Sequence, residues 1–75
     1  MSHLKASQVQ SVLIPRSRYT LAQARAWLHE HGYSSSGKVD ITDAYYRFRQ
    51  APPGQFPRIR TKALPGGIKL LIGFK

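Results

Sequence analysis

Apolar residues recur along this chain in two different rhythms. Leu21, Ala24, Trp27, Leu28 and His31 fall three or four positions apart, a spacing that lines one face of a helix about three turns long. Thr20 and Gln23 stand at the capping-box interval just before and inside that stripe, so each side chain can satisfy the other's backbone N–H. Gly32 suits the left-handed residue that ends a helix, and Tyr33 is placed to pack back on Leu28 as in a Schellman cap. A helix is predicted over 21–31, followed by a flexible link at Ser34-Ser35-Ser36-Gly37.

Elsewhere the period is two. In Tyr45–Gln50, Tyr46 and Phe48 share one face while Tyr45, Arg47 and Arg49 share the other. Ala51-Pro52-Pro53-Gly54 stops that strand, because proline cannot continue a central one. Phe56–Ala63 alternates again, with Ile59, Thr61 and Ala63 on one side and Arg58, Arg60 and Lys62 on the other. Ile68–Phe74 places Ile68, Leu70, Ile72 and Phe74 together, against Lys69, Leu71 and Gly73. An earlier run, Val9–Pro15, alternates imperfectly and reads as a strand open to burial on both faces.

Leu64-Pro65-Gly66-Gly67 marks a turn, and turn length sets hairpin register. A four-residue loop pairs Ala63 with Ile68, Thr61 with Leu70 and Ile59 with Ile72. A two-residue Gly66-Gly67 loop moves the pairing by two positions and keeps the same faces. Under either, Ile59, Thr61 and Ala63 join the apolar face, which the helix stripe is the only amphipathic element available to cover. The predicted fold is α+β: one small domain in the order β-α-β-β-β, a mainly antiparallel sheet with one helix packed across one face. Residues 1–8 are assigned to a flexible tail and 9–75 to the domain. The pattern contains no internal repeat and no second domain.

Charge changes what this sheet is expected to do. The chain has 75 residues, and its twelve Lys and Arg stand against Glu30, Asp40 and Asp43, a net charge of +9. Such an excess attracts polyanions: nucleic acid, an acidic protein surface or anionic lipid. No stretch approaches the roughly 18 apolar residues of a transmembrane helix. The first residues contain no apolar core of a signal peptide, so membrane partners are not expected. There is no Cys and the three His are scattered, which excludes a disulfide scaffold and leaves cytoplasm or the interior of a virion as the expected setting. His29 and His31 point to different sides of the helix and cannot chelate one ion. No metal, no cofactor and no small-molecule substrate are expected, and no nucleophile–base pair indicates catalysis.

Placed on the predicted faces, the charges converge. Tyr45, Arg47, Arg49, Arg58, Arg60, Lys62 and Lys69 are all expected on the sheet face turned away from the helix. Arg16, Arg18 and Lys75 would extend it, although Arg16 and Arg18 read first as a solvated loop. In the four-residue register Lys62 and Lys69 face each other, a repulsion that a phosphate between them would relieve. Arginine offers planar, bidentate donors to phosphate, and Tyr45 offers a base-stacking ring. The plainer reading is a basic face kept for solubility. Against it, residues 38–75 carry eight basic residues and only Asp40 and Asp43, whereas a solvated face usually mixes signs. About five phosphate contacts predict a salt slope of about −3.5 to −4.5. Trp27 reads as core before surface stacking. Asp40 and Asp43 read as caps of the turn into the strand, or as partners of Lys38 or an Arg.

Two segments carry a family likeness. Trp27-Leu28-His29-Glu30-His31-Gly32-Tyr33 and Tyr45-Tyr46-Arg47-Phe48-Arg49-Gln50-Ala51-Pro52, followed by Gly66-Gly67-Ile68-Lys69 and Gly73-Phe74, resemble a short domain found in genes of tailed phages and related mobile elements. Such genes often lie near or within virion structural and prohead-processing genes. The resemblance covers most of residues 9–75 and implies a viral origin and a role near packaged DNA, capsid or assembly; it assigns no active residue. Two functions are therefore expected: a non-catalytic module binding DNA or RNA through phosphates, or a virion or assembly protein whose basic face docks an acidic protein surface.

Overall fold

The computed structural model describes residues 7–35, 37–51 and 57–74. Strand β1 (Ser7–Pro15) leads into helix α1 (Leu21–Glu30), then strands β2 (Val39–Ile41), β3 (Tyr45–Arg49), β4 (Arg58–Ala63) and β5 (Lys69–Phe74). All pairings are antiparallel, in one five-stranded sheet of order β2-β3-β1-β5-β4. This is the expected single-sheet α+β domain with an added edge strand, β2, which is too short to show an alternation. Ser7 and Gln8, assigned to the tail from sequence, instead belong to β1, opposite Phe74 and Gly73. The remaining tail residues 1–6, the Pro52-Pro53-Gly54 stop, Phe56 and Lys75 lie outside the described residues.

The centre of the sheet explains the imperfect rhythm of the first strand. β1 lies between β3 and β5, and its register against β5 slips between Val9 and Ser11. This bulge absorbs one residue, so Val9, Val12 and Ile14 can serve one face although their spacing is not even. The Gln10 carbonyl at the bulge accepts from the backbone N–H groups of Gln50 (2.7 Å) and Ala51 (3.2 Å), which ties down the end of β3. Val12 stands opposite Phe48 on one side and Leu70 on the other. These residues with Ile14, Ile68 and the helix residues Ala24 and Leu28 form the core.

The helix begins and ends as its sequence dictates. Thr20 Oγ1 accepts from the Gln23 N–H (3.1 Å), and Gln23 Oε1 accepts from the Thr20 N–H (2.9 Å), completing the capping box. At the other end Gly32 has φ +78°. The Tyr33 N–H donates to the Leu28 carbonyl at 2.9 Å, and the Gly32 N–H to His29 at 3.2 Å, the two bonds of a Schellman motif. His31 departs from expectation: it caps the helix, is exposed, and lies outside the core.

The β4–β5 hairpin takes neither of the two registers anticipated from sequence. Its loop is the three-residue turn Pro65–Gly67, closed by the Leu64 N–H donating to the Ile68 carbonyl at 2.7 Å. Ala63 therefore pairs with Lys69, Thr61 with Leu71 and Arg60 with Ile72. Relative to an even-length loop the register moves by one residue, which turns every β4 side chain to the other face. Gly66 and Gly67 supply positive φ angles of +85° and +84°. At Gly66 a side chain is also excluded, since an added Cβ would lie 2.8 Å from the Tyr19 hydroxyl. Ile59, Thr61 and Ala63, expected beneath the helix, lie on the open face instead, and Ile59 is 44% exposed.

Candidate nucleic-acid interface

The one-residue shift divides the predicted basic face. Tyr45, Arg47 and Arg49 alternate with the core residues Tyr46 and Phe48, and Lys69 with Leu70, so these four occupy the open face. Arg58, Arg60 and Lys62 stand opposite Phe74, Ile72 and Leu70, on the helix side of the sheet. Lys62 and Lys69 do not face each other: their opposite residues are Leu70 and Ala63. Seven residues expected on one surface thus form two groups on opposite faces.

On the open face the basic groups are engaged with their neighbours. Arg49 Nη2 lies 3.2 Å from Asp40 Oδ2, the outcome anticipated for Asp40 as partner of an Arg. Lys69 Nζ sits 5.5 Å from the Tyr45 ring centroid, over one face of the half-buried ring that was expected to serve for stacking. Arg47 is half-buried, and its Nε is buried with no hydrogen-bond partner. The half-buried Leu13 lies between Arg47 and Lys69, and the half-buried Leu71 and exposed Ile59 lie toward the β4 edge. The face is mixed in character, basic toward β3 and uncharged toward the β4 edge.

Other cations hold the fold together. Arg16 Nη1 donates to the Thr42 carbonyl at 2.6 Å and lies 3.4 Å from that of Asp43, and its guanidinium lies 5.9 Å from the Tyr46 ring centroid. It ties the end of β1 to the β2–β3 turn, so its guanidinium is engaged within the fold; Arg16 and Arg18 are both exposed. Arg25 donates to the Ser35 carbonyl and covers the Phe48 ring at 5.7 Å. Gln50 grips the same link, accepting from the Ser34 N–H (2.8 Å) and donating to the Ser34 carbonyl (3.0 Å). Nothing in the sequence pattern marks these long-range ties. In the β2–β3 turn it is Thr42, rather than Asp43, whose side chain caps, accepting from the Tyr45 N–H and donating to the Tyr45 carbonyl at 3.0 Å each.

The row on β4 is arranged differently. Every residue of this edge strand is exposed. Alternate residues of a strand are about 6.8 Å apart, so Arg58, Arg60 and Lys62 present three cations at even intervals. The Arg60 guanidinium lies 5.7 Å from the Phe74 ring centroid, which fixes the row on the helix side. Among the described residues none of the three forms an ion pair.

The helix contributes a second feature on this side. At about 100° per residue, Arg25 and Trp27 project about 80° to either side of the Ala24–Leu28 midline. Arg25 meets Phe48 of β3, so the flank bearing Trp27 is turned toward β5 and β4. There the rings of Trp27 and His31 stack with centroids 3.9 Å apart and planes 17° apart. Tyr33 runs nearly parallel to Trp27, at 6.0 Å and 6°. Trp27 is half-buried against the core as the helical stripe predicted, and also holds this stack.

Among the described residues no group of three or more His, Cys, Asp or Glu is placed to hold a metal ion. No helix among them is long and apolar enough to cross a membrane. Compared with protein-family models, curated proteins and solved structures, the chain matches none.

Proposed function

We propose that this protein is a non-catalytic basic module that binds nucleic acid through its phosphates, with the β4 row of Arg58, Arg60 and Lys62 as the principal contact. The observation that carries this reading is the contrast between the two basic groups. On the open face Arg49 is paired with Asp40, and Arg47 and Lys69 are half-buried. The β4 cations are exposed, evenly spaced and without an ion pair among the described residues. Holding like charges in one row without acids is unfavourable for the isolated chain and favourable beside a polyanion. Contacts of this kind position the protein on a phosphate backbone and carry little sequence information.

A second reading, in which a virion or assembly protein docks an acidic protein surface, draws support from the edge position of β4. An edge strand offers unpaired backbone groups to an added strand, and its basic side chains would favour an acidic one. Titration of labelled single- and double-stranded oligonucleotides, and of polyglutamate, at several salt concentrations separates the two. Nucleic-acid binding predicts oligonucleotide affinity that falls steeply with salt and exceeds that for polyglutamate. Tighter binding of polyglutamate at matched charge and salt would favour the protein-docking reading instead.

A further inference from the structure

We infer that the bound nucleic acid is single-stranded and that its bases stack on the His31–Trp27 aromatic pair while the β4 row holds its phosphates. This inference rests on the proposed function and specifies its ligand. A duplex hides its bases in their own stack, and only an unpaired strand can offer them to an exposed ring while its backbone follows a cationic track.

The His31 ring is prepared for this role by the fold. Its Nδ1 lies 2.8 Å from the Trp27 carbonyl, and since a carbonyl oxygen only accepts, Nδ1 must carry the hydrogen. The ring is thereby held flat against the indole. Trp27 covers one face of the imidazole, and among the described residues no other ring stacks on the second. Because His31 is exposed, a base laid on that second face would continue a stack the protein has already begun. Tyr33 lies parallel to the indole and belongs to the Schellman cap, so the stack is built on a fixed helix end rather than on a loop.

The placement of the cations agrees. His31 falls on the same flank of the helix midline as Trp27, about 40° from it, the flank turned toward β5 and β4. Arg58, Arg60 and Lys62 project from the same side of the sheet. Aromatic rings on the helix and a cationic row on the edge strand together form the combination that single-strand binders use: stacking on one side, phosphate contacts on the other.

Trp27 is the only tryptophan in the chain, so its fluorescence reports on the stack directly. The test titrates the full chain at low salt with a short oligothymidylate, the corresponding duplex, and inorganic polyphosphate of matched charge. The inference predicts a change in Trp27 emission with the single strand and none with polyphosphate. It also predicts weaker binding to the duplex, and a loss of about fivefold or more in single-strand affinity for His31→Ala. Circular dichroism of that variant should match the parent, since the substituted side chain is exposed. If the single strand and polyphosphate bind equally with emission unchanged, and His31→Ala binds like the parent, stacking is overturned while phosphate binding stands. If none of the three binds, the proposed function falls and this inference with it.

Discussion

Individual side chains in this small domain carry consequences that can be measured one at a time. Ser11 is fully buried in the central strand, and its Oγ has no hydrogen-bond partner. A buried polar group without a partner carries a desolvation cost of about 1–3 kcal/mol. Ser11→Ala should therefore leave stability unchanged or raise it by up to that amount in urea unfolding. A loss above about 1 kcal/mol would show that the hydroxyl has a partner after all. Gly66 makes the opposite case. Its φ of +85° and the Tyr19 hydroxyl, 2.8 Å from where a Cβ would stand, both oppose a side chain. Gly66→Ala should cost at least about 1 kcal/mol. Adding Tyr19→Phe removes the oxygen and leaves only an ordinary contact, so the double variant should lose less than the two single losses combined.

At the scale of elements, the helix was legible because every signal for it is local. The stripe, the capping box and the Gly32 stop act within a few residues of one another, and the bonds they predict are all present. Thr20→Ala should cost about 1 kcal/mol by the same unfolding measurement, within the 0.5–2 kcal/mol that such caps contribute. The strands were legible as strands for the same reason. Their faces were not all legible, because the face of β4 depends on one integer, the length of the turn. Proline followed by two glycines permits several turn lengths, and the three-residue one brings Gly66 and Gly67 close to Tyr19 and Pro15, residues distant in sequence. The ties made by Arg16, Arg25 and Gln50 were invisible for a related reason: each joins residues brought together only by the completed fold. Cross-linking tests the register. Thr61→Cys with Leu71→Cys places two thiols directly opposite on one face and should form a disulfide on mild oxidation. Thr61→Cys with Leu70→Cys, the pair that the four-residue loop would align, should not. Reversal of that outcome would return the basic row to the open face.

Across the whole molecule, a net charge of +9 on 75 residues is distributed by the fold into distinct roles. Arg16 and Arg25 bind backbone carbonyls, Arg49 pairs with Asp40 and Lys69 covers Tyr45. Arg58, Arg60 and Lys62 stand along an exposed edge, on the same side of the sheet as the helix that carries the aromatic stack. The predicted site residues do not form a single surface: the register of β4 divides them between the two faces of the sheet. The most direct test compares the salt dependence of single-stranded oligonucleotide binding, followed by fluorescence anisotropy, for the parent chain and two variants. Arg58→Gln, Arg60→Gln and Lys62→Gln together should weaken binding and flatten the slope of log K against log salt by about 2, three phosphate contacts at about 0.7 each. Arg47→Gln with Arg49→Gln should change the slope far less. A parent chain that does not bind at low salt, or a triple variant with the parent's slope, would contradict the assignment of nucleic-acid binding to the β4 row.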